Sequence, residues 1–225
     1  MVGKTLFETL KQNAGARWQQ AQDHAFVQAL ARGDLAQRKY VYYLKQDYAY
    51  LEGYSRAIAL ATAKAPALAL LEQFAGLLHE TLTLEMQLHR DYCAEFSINA
   101  EELTATEPAP VCQAYIDFCI AAAATGDSLD LLTALAPCGI GYGEIGARLI
   151  ALPEMKPSHP YHKWAATYGG EEYQAYVRWM VQTLNKLGTG LPDERTAQLN
   201  RYFRLGCRYE WLFWEMAWRE ESWPL

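Results

Sequence analysis

The stretch Gly33-Asp34-Leu35-Ala36-Gln37-Arg38-Lys39-Tyr40-Val41-Tyr42-Tyr43-Leu44-Lys45-Gln46-Asp47-Tyr48-Ala49-Tyr50 decides the fold class. Glycine favours the position just past a helix end, and an Asp followed three residues later by Gln has the spacing of a capping box. Gly33 therefore reads as a stop and residues 34–37 as a fresh start, opening a helix that runs past Gln46 and Asp47. Outward from there nearly every segment repeats the pattern. Apolar residues return every three or four positions, and alternating Val/Ile/Thr-rich runs are almost missing.

The punctuation between segments is helical as well. Pro66 restarts the chain into a helix that ends before Ser97-Ile98-Asn99, and Glu107-Pro108-Ala109-Pro110 is a clear break. Gly126-Asp127-Ser128 is another, which leaves one helix around Tyr115 and one carrying Cys138. Further breaks fall at residues 153–160, 169–170 and 188–192, and the last helix, from about Pro192 to Arg219, holds Glu210. The reading is an all-α chain of roughly seven to nine helices, organised as a single domain over residues 1–225.

Composition bounds the function. About half of the 225 residues are apolar and a fifth are charged, as in a folded globular protein, with fifteen Tyr and seven Trp. The net charge is −6 and no Lys/Arg run stands out, so the electrostatic footprint of a nucleic-acid binder is missing. Residues 1–16 are amphipathic, with Leu6, Phe7 and Leu10 among polar neighbours, and lack the features of a signal peptide; no stretch suits a bilayer span. Five cysteines, odd in number and without a CxxC pair, argue against a disulfide scaffold and a structural zinc site. A reducing cytoplasm is the expected setting.

Three reactive groups sit in aromatic runs: Asp47 before Tyr48-Ala49-Tyr50, Cys138 in Pro137-Cys138-Gly139-Ile140-Gly141-Tyr142, and Glu210 in Tyr209-Glu210-Trp211-Leu212-Phe213-Trp214. On helices, Asp47 shares a face with Tyr50, Glu210 with Phe213 and Trp214, and Cys138 with Tyr142. A carboxylate beside rings has a structural explanation, in which it bonds tyrosine hydroxyls or an arginine such as Arg56 or Arg208. It has a functional one too, in a pocket for a flat, nitrogen-rich ligand. A lone cysteine is ordinarily inert packing. Around Cys138, however, Gly139, Gly141 and Gly143 leave the backbone open to a ligand, and a helix beginning near Pro137 would put the thiol at a helix N-terminus that favours the thiolate.

Two other motifs are weaker. Gly141-Tyr142-Gly143-Glu144-Ile145-Gly146 matches GxGxxG, yet residues 131–137 read as helix where a dinucleotide fold needs a strand, so close helix packing explains it better. Glu85 and His89, with His79, Glu80, Glu144 and Glu215 as possible partners, suggest metal, but bundle di-iron sites use Glu-x-x-His pairs and the chain has none. Glu85 and His89 read instead as a helix-face pair.

The order of these motifs closely resembles the TenA family of thiaminase II proteins, in its cysteine-containing branch. The resemblance runs from Trp18 and His24-Ala25-Phe26, through Gln46-Asp47-Tyr48 and Pro137-Cys138, to Tyr161, Trp164, Tyr168 and Glu210 with Phe213-Trp214-Glu215-Met216-Ala217-Trp218. It implies a heme-oxygenase-like multi-helix bundle, commonly a homotetramer. The implied activity is hydrolysis of aminopyrimidines, from thiamin or its breakdown products, to hydroxymethylpyrimidine for salvage, with no metal or organic cofactor. Carried over, Cys138 is the nucleophile, Glu210 the general acid/base near the leaving amine, and Asp47 the partner of the pyrimidine ring nitrogen and amino group. Tyr50 stacks on the ring, and Tyr115, Tyr142, Tyr168 and Phe213 complete the substrate-binding set. No membrane or nucleic-acid partner is implied.

That chemistry is coherent. A thiolate adding to the ring breaks its delocalisation while Asp47 supports the protonated nitrogen, and loss of the amine leaves an electrophilic carbon for water. The chain departs from the family pattern at Ala25, where many members have proline, and at Ile140-Gly141, where a tryptophan is common. The first touches a helix entry; the second is expected to enlarge the site. Two rivals stay open, a binding or regulatory protein without turnover and a metal-dependent oxidase on the same fold.

Overall fold

The computed structural model describes residues 4–224, and among them there are helices and turns but no strand. In chain order the helices are α1 (Leu6–Ala14), α2 (Ala16–Gln22), α3 (Ala25–Arg32), α4 (Gln37–Ala63) and α5 (Leu68–Glu80). A π-helical turn (Thr81–Glu85) follows, then α6 (Met86–Glu95), α7 (Ala100–Thr104), α8 (Pro110–Thr125), α9 (Ser128–Ile150), α10 (His162–Gly169), α11 (Glu171–Leu187) and α12 (Asp193–Arg219). This exceeds the seven to nine helices expected. The N-terminal region divides into three short helices, α7 had no periodic signal of its own, and the π turn interrupts one helical run.

The start of α4 differs from its sequence reading. Gly33 does end α3 in the left-handed region at φ 78, but the N-cap of α4 is Ala36, which makes no side-chain cap. The Asp34 carboxylate goes to Arg32 instead, at 2.9 Å. A true capping box lies at the head of α1, where Thr5 and Glu8 cap each other's backbone N–H groups. His24 caps α3 by accepting the Phe26 N–H, with Ala25 at the first helical position where a proline would fit.

The chain falls into two compact units. The first comprises Met1–Leu35 and Leu132–Trp211. Its axis is α9, whose glycines are crowded by neighbours: a Cβ on Gly139 would lie 2.7 Å from the Tyr176 hydroxyl, one on Gly143 2.5 Å from Val177, and one on Gly146 would collide with the backbone of Tyr168 and Gly169. The Glu144 carboxylate ties α1 and α2 to α9, accepting from Lys11 at 2.6 Å, the Trp18 indole at 2.9 Å and Gln22 at 2.7 Å. Burial raises that carboxyl's proton affinity, but these donors win and hold it below the usual range.

The second unit comprises Ala36–Leu131 and Leu212–Leu225. Here α4 lies so close to α8 that a Cβ on Gly53 would overlap Ile116. Lys64, just past α4, donates to the carbonyls of Ala123, Ala124 and Gly126 and so satisfies the C-terminal end of α8. Gln46 clamps the other end of α8 by accepting from the Ala109 N–H at 2.8 Å and donating to the Glu107 carbonyl at 3.1 Å.

Candidate active site

Asp47, Tyr50, Tyr115 and Phe213 belong to the second unit, and Cys138, Tyr142, Tyr168 and Glu210 to the first.

In the second unit Asp47 is buried on α4, and both of its hydrogen bonds go to one oxygen. Oδ2 accepts from the Tyr43 hydroxyl at 3.1 Å, one turn earlier, and meets His89 Nε2 at 2.7 Å. No described protein group bonds Oδ1. The other ring nitrogen of His89, Nδ1, faces the Glu85 carbonyl at 3.0 Å. A carbonyl only accepts, so Nδ1 carries a proton, and one further proton is shared between Nε2 and Asp47. Burial alone would lower the proton affinity of His89; the hydrogen bond and charge of Asp47 reverse this, with help from Glu85, and raise it above the ordinary histidine range. Glu85 closes the π turn, and burial pushes its carboxyl up to about 7, with His89 opposing and Asp47 adding to the shift.

Aromatic rings surround this carboxylate's helix. Tyr50, one turn beyond Asp47, has its ring centroid 4.9 Å from Tyr115 and 5.7 Å from Phe213, the latter edge-on. The Tyr50 hydroxyl lies 3.8 Å from the Cys119 sulfur. Tyr43 stacks on Trp214 at 5.4 Å. Tyr50, Tyr115 and Phe213 are thus brought together. The partner of Asp47 is a histidine and a tyrosine, while Arg56, one expected alternative, pairs with Glu52.

In the first unit Cys138 lies on α9, and the structure corrects its expected setting. The helix begins at Ser128 and carries Pro137 in its interior, so Cys138 is mid-helix and gains nothing from a helix N-terminus. Nor do the glycines leave the backbone open all round, because the space beside Gly139 and Gly143 is taken by α11. Gly141 is the exception: it is buried, yet a Cβ there would meet no atom within 4 Å. Cys138 is the half-buried thiol of the five, the other four being buried. Burial pushes the Cys93 thiol up to about 11 and that of Cys207 to about 12, the nearby Glu210 adding to the latter. One turn on, Tyr142 meets Tyr168 edge-on at 5.0 Å and Trp164 at 5.8 Å. Glu210 is 5% exposed on α12.

The sequence reading missed His89 and Tyr43 as the groups that orient Asp47. In the sequence His89 reads only as a neighbour of Glu85, whereas its partner Asp47 lies 42 residues away. The GxGxxG stretch is helical, with Gly143 and Gly146 set by packing. Among the described residues no group of three or more His, Cys, Asp or Glu side chains is placed to hold a metal, and no helix is long and apolar enough to cross a membrane.

The fold and the sequence match known proteins. The fold is the heme-oxygenase-like all-α one: a domain of unknown function from Shewanella denitrificans, described as having that fold, superposes with a TM-score of 0.75 at 14% identity, covering 98% of this chain and 94% of that one. Within that fold the chain belongs to the TENA/THI-4/PQQC family, whose sequence model matches residues 11–220. It is 37% identical to the aminopyrimidine aminohydrolase of Halalkalibacterium halodurans, over 96% of each chain. A TenA family transcription regulator from Silicibacter superposes with a TM-score of 0.88 at 36% identity, over 96% of each chain.

Proposed function

We propose that this protein is a thiaminase II, an aminopyrimidine aminohydrolase that releases hydroxymethylpyrimidine from aminomethylpyrimidine or thiamin for thiamin salvage. The aminohydrolase relative supports the reaction class. The observation that carries the site assignment is Asp47: one oxygen is held by His89 and Tyr43, and the other is bonded to no described protein group. A carboxylate anchored in this way suits a ring N–H and an exocyclic amine, whose donors need a fixed acceptor.

In this reading Cys138 adds to the pyrimidine ring while Asp47 supports the protonated ring nitrogen. Glu210 protonates the departing amine, water takes its place on the exocyclic carbon, and the thiolate then leaves to restore the ring. Tyr50, Tyr115, Tyr142, Tyr168 and Phe213 bind the ring by stacking and hydrogen bonding. The open space at Gly141 favours substrates larger than the amine, such as thiamin or a formylated derivative. The mechanism calls on no cofactor. Residues 1–225 act as one domain, assembled as a homotetramer in the cytoplasm.

The relative described as a transcription regulator favours a second reading, in which the protein binds a pyrimidine without turnover. The net charge of −6 speaks against direct DNA contact. Both readings meet one assay: hydroxymethylpyrimidine release from aminomethylpyrimidine and from thiamin by wild type and by Cys138→Ala, Glu210→Gln and Asp47→Asn. Turnover is expected in the wild type, with losses on the order of a hundredfold or more in each variant. Ligand binding without turnover in the wild type would select the second reading.

A further inference from the structure

Thr133 is fully buried on α9, and its hydroxyl has no hydrogen-bond partner. A threonine inside a helix commonly returns its hydroxyl to the carbonyl four residues back, as Thr62, Thr104 and Thr125 do here. Thr133 does not. Its carbonyl is affected as well, because the residue four positions on is Pro137, which has no N–H to complete the helical ladder. Two oxygens of one buried residue therefore stand beside a gap in the helical hydrogen-bond ladder.

The helix opposite is α12. A Cβ on Gly206 would lie 2.8 Å from both the Ala134 carbonyl oxygen and the Pro137 ring, so the two helices are in close contact at that level. Trp18 fixes their relative direction. Its indole donates to Glu144 while its ring stacks on Phe203 at 5.5 Å, which places Phe203, before Gly206, beside Glu144, after Pro137. The helices run antiparallel. One turn beyond Gly206 is Glu210, and one turn before Pro137 is Thr133, so these two residues fall at the same level on facing sides.

We infer that Thr133 and Glu210 hold a water molecule between α9 and α12, and that this is the water delivered to the pyrimidine's exocyclic carbon. The delivery role rests on the aminohydrolase reading above. The Thr133 hydroxyl, the Thr133 carbonyl and the Glu210 carboxylate supply the two to four polar partners that a buried water needs. After Glu210 has given its proton to the departing amine, its carboxylate takes one proton back from this water. The water oxygen forms the new C–O bond at the carbon the amine has left, so that aminomethylpyrimidine and water become hydroxymethylpyrimidine and ammonia. Thr133 acts by positioning the water, whereas Glu210 exchanges the proton.

Thr133→Val keeps the shape and removes the hydroxyl; Thr133→Ser keeps the hydroxyl. The valine variant is expected to lose about tenfold in kcat with KM within about threefold, and the serine variant to recover most of the rate. With hydroxylamine present as a competing nucleophile, the valine variant diverts a larger share of product to the hydroxylamine adduct. Wild-type rate and product split in Thr133→Val would overturn the delivery role. Melting temperature decides the water site whether or not the enzyme turns over. Replacing a bare buried hydroxyl by methyl raises it, which would overturn the site, while removing one that holds a water lowers it. Should the wild type release no hydroxymethylpyrimidine, the aminohydrolase reading and the delivery role fall together, and the melting comparison still settles whether the water is there.

Discussion

Asp47 and Cys138 sit in opposite kinds of surroundings. Asp47 is held by other side chains: His89 and Tyr43 fix one of its oxygens, and the Glu85 carbonyl in turn fixes His89. Cys138 owes its place to its helix, which is wedged by glycines against α10 and α11. The difference follows from chemistry. A buried charge must be neutralised and aimed, which takes partners; a thiol needs only access and a backbone that does not move.

The largest effect is expected from removing a partner of Asp47. His89→Leu leaves a buried carboxylate without its counter-charge and should cost about 3–5 kcal/mol in denaturant unfolding, whereas Cys138→Ala should cost about 1 kcal/mol or less. Equal losses would mean that His89 and Asp47 are not a charged pair. Next come the glycines. Gly146→Ala forces a methyl group into the backbone of α10 and should destabilise by roughly 1–3 kcal/mol, while Gly141→Ala enters open space and should be neutral or stabilising by up to about 1 kcal/mol. Thermal melting of the two variants side by side checks this.

Glu85 sharpens the electrostatic side. Its carboxyl is raised from 4.5 to about 7 in the folded state, so its contribution is fully present below pH 4.5 and is lost as pH rises through 7. The raised affinity of His89 works in the same direction, its contribution fading above the folded value. Stability should therefore fall as pH rises from 4.5 through about 7, and Glu85→Gln should remove about 3 kcal/mol of that fall. A flat profile in the wild type would contradict the charge arrangement. The smallest effect is kinetic: iodoacetamide should label Cys138 before the four buried thiols, as peptide mapping after brief exposure would show.

Much of the molecule is legible in the chain. The helical breaks at Gly33, Pro110, residues 126–128 and 188–192 are local signals, and each falls at an element boundary. The ring-bearing positions Tyr50, Tyr115 and Phe213 come from short motifs and do meet. Pro137 misled the reading, because proline usually marks a helix start and here it is tolerated inside one. The pairing of His89 with Asp47 had no local signal, since neither residue's neighbours record which other helix will face it.

The all-α class and the family are legible in the chain alone, because periodicity, caps and short motifs are written within a few residues of each other. Only the tertiary structure decided which oxygen of Asp47 is anchored, that Cys138 lies mid-helix, which glycine borders open space, and that the Thr133 hydroxyl is left without a partner. Those are properties of contacts between segments distant in the chain, and burial turns each such contact into charge state, access or strain.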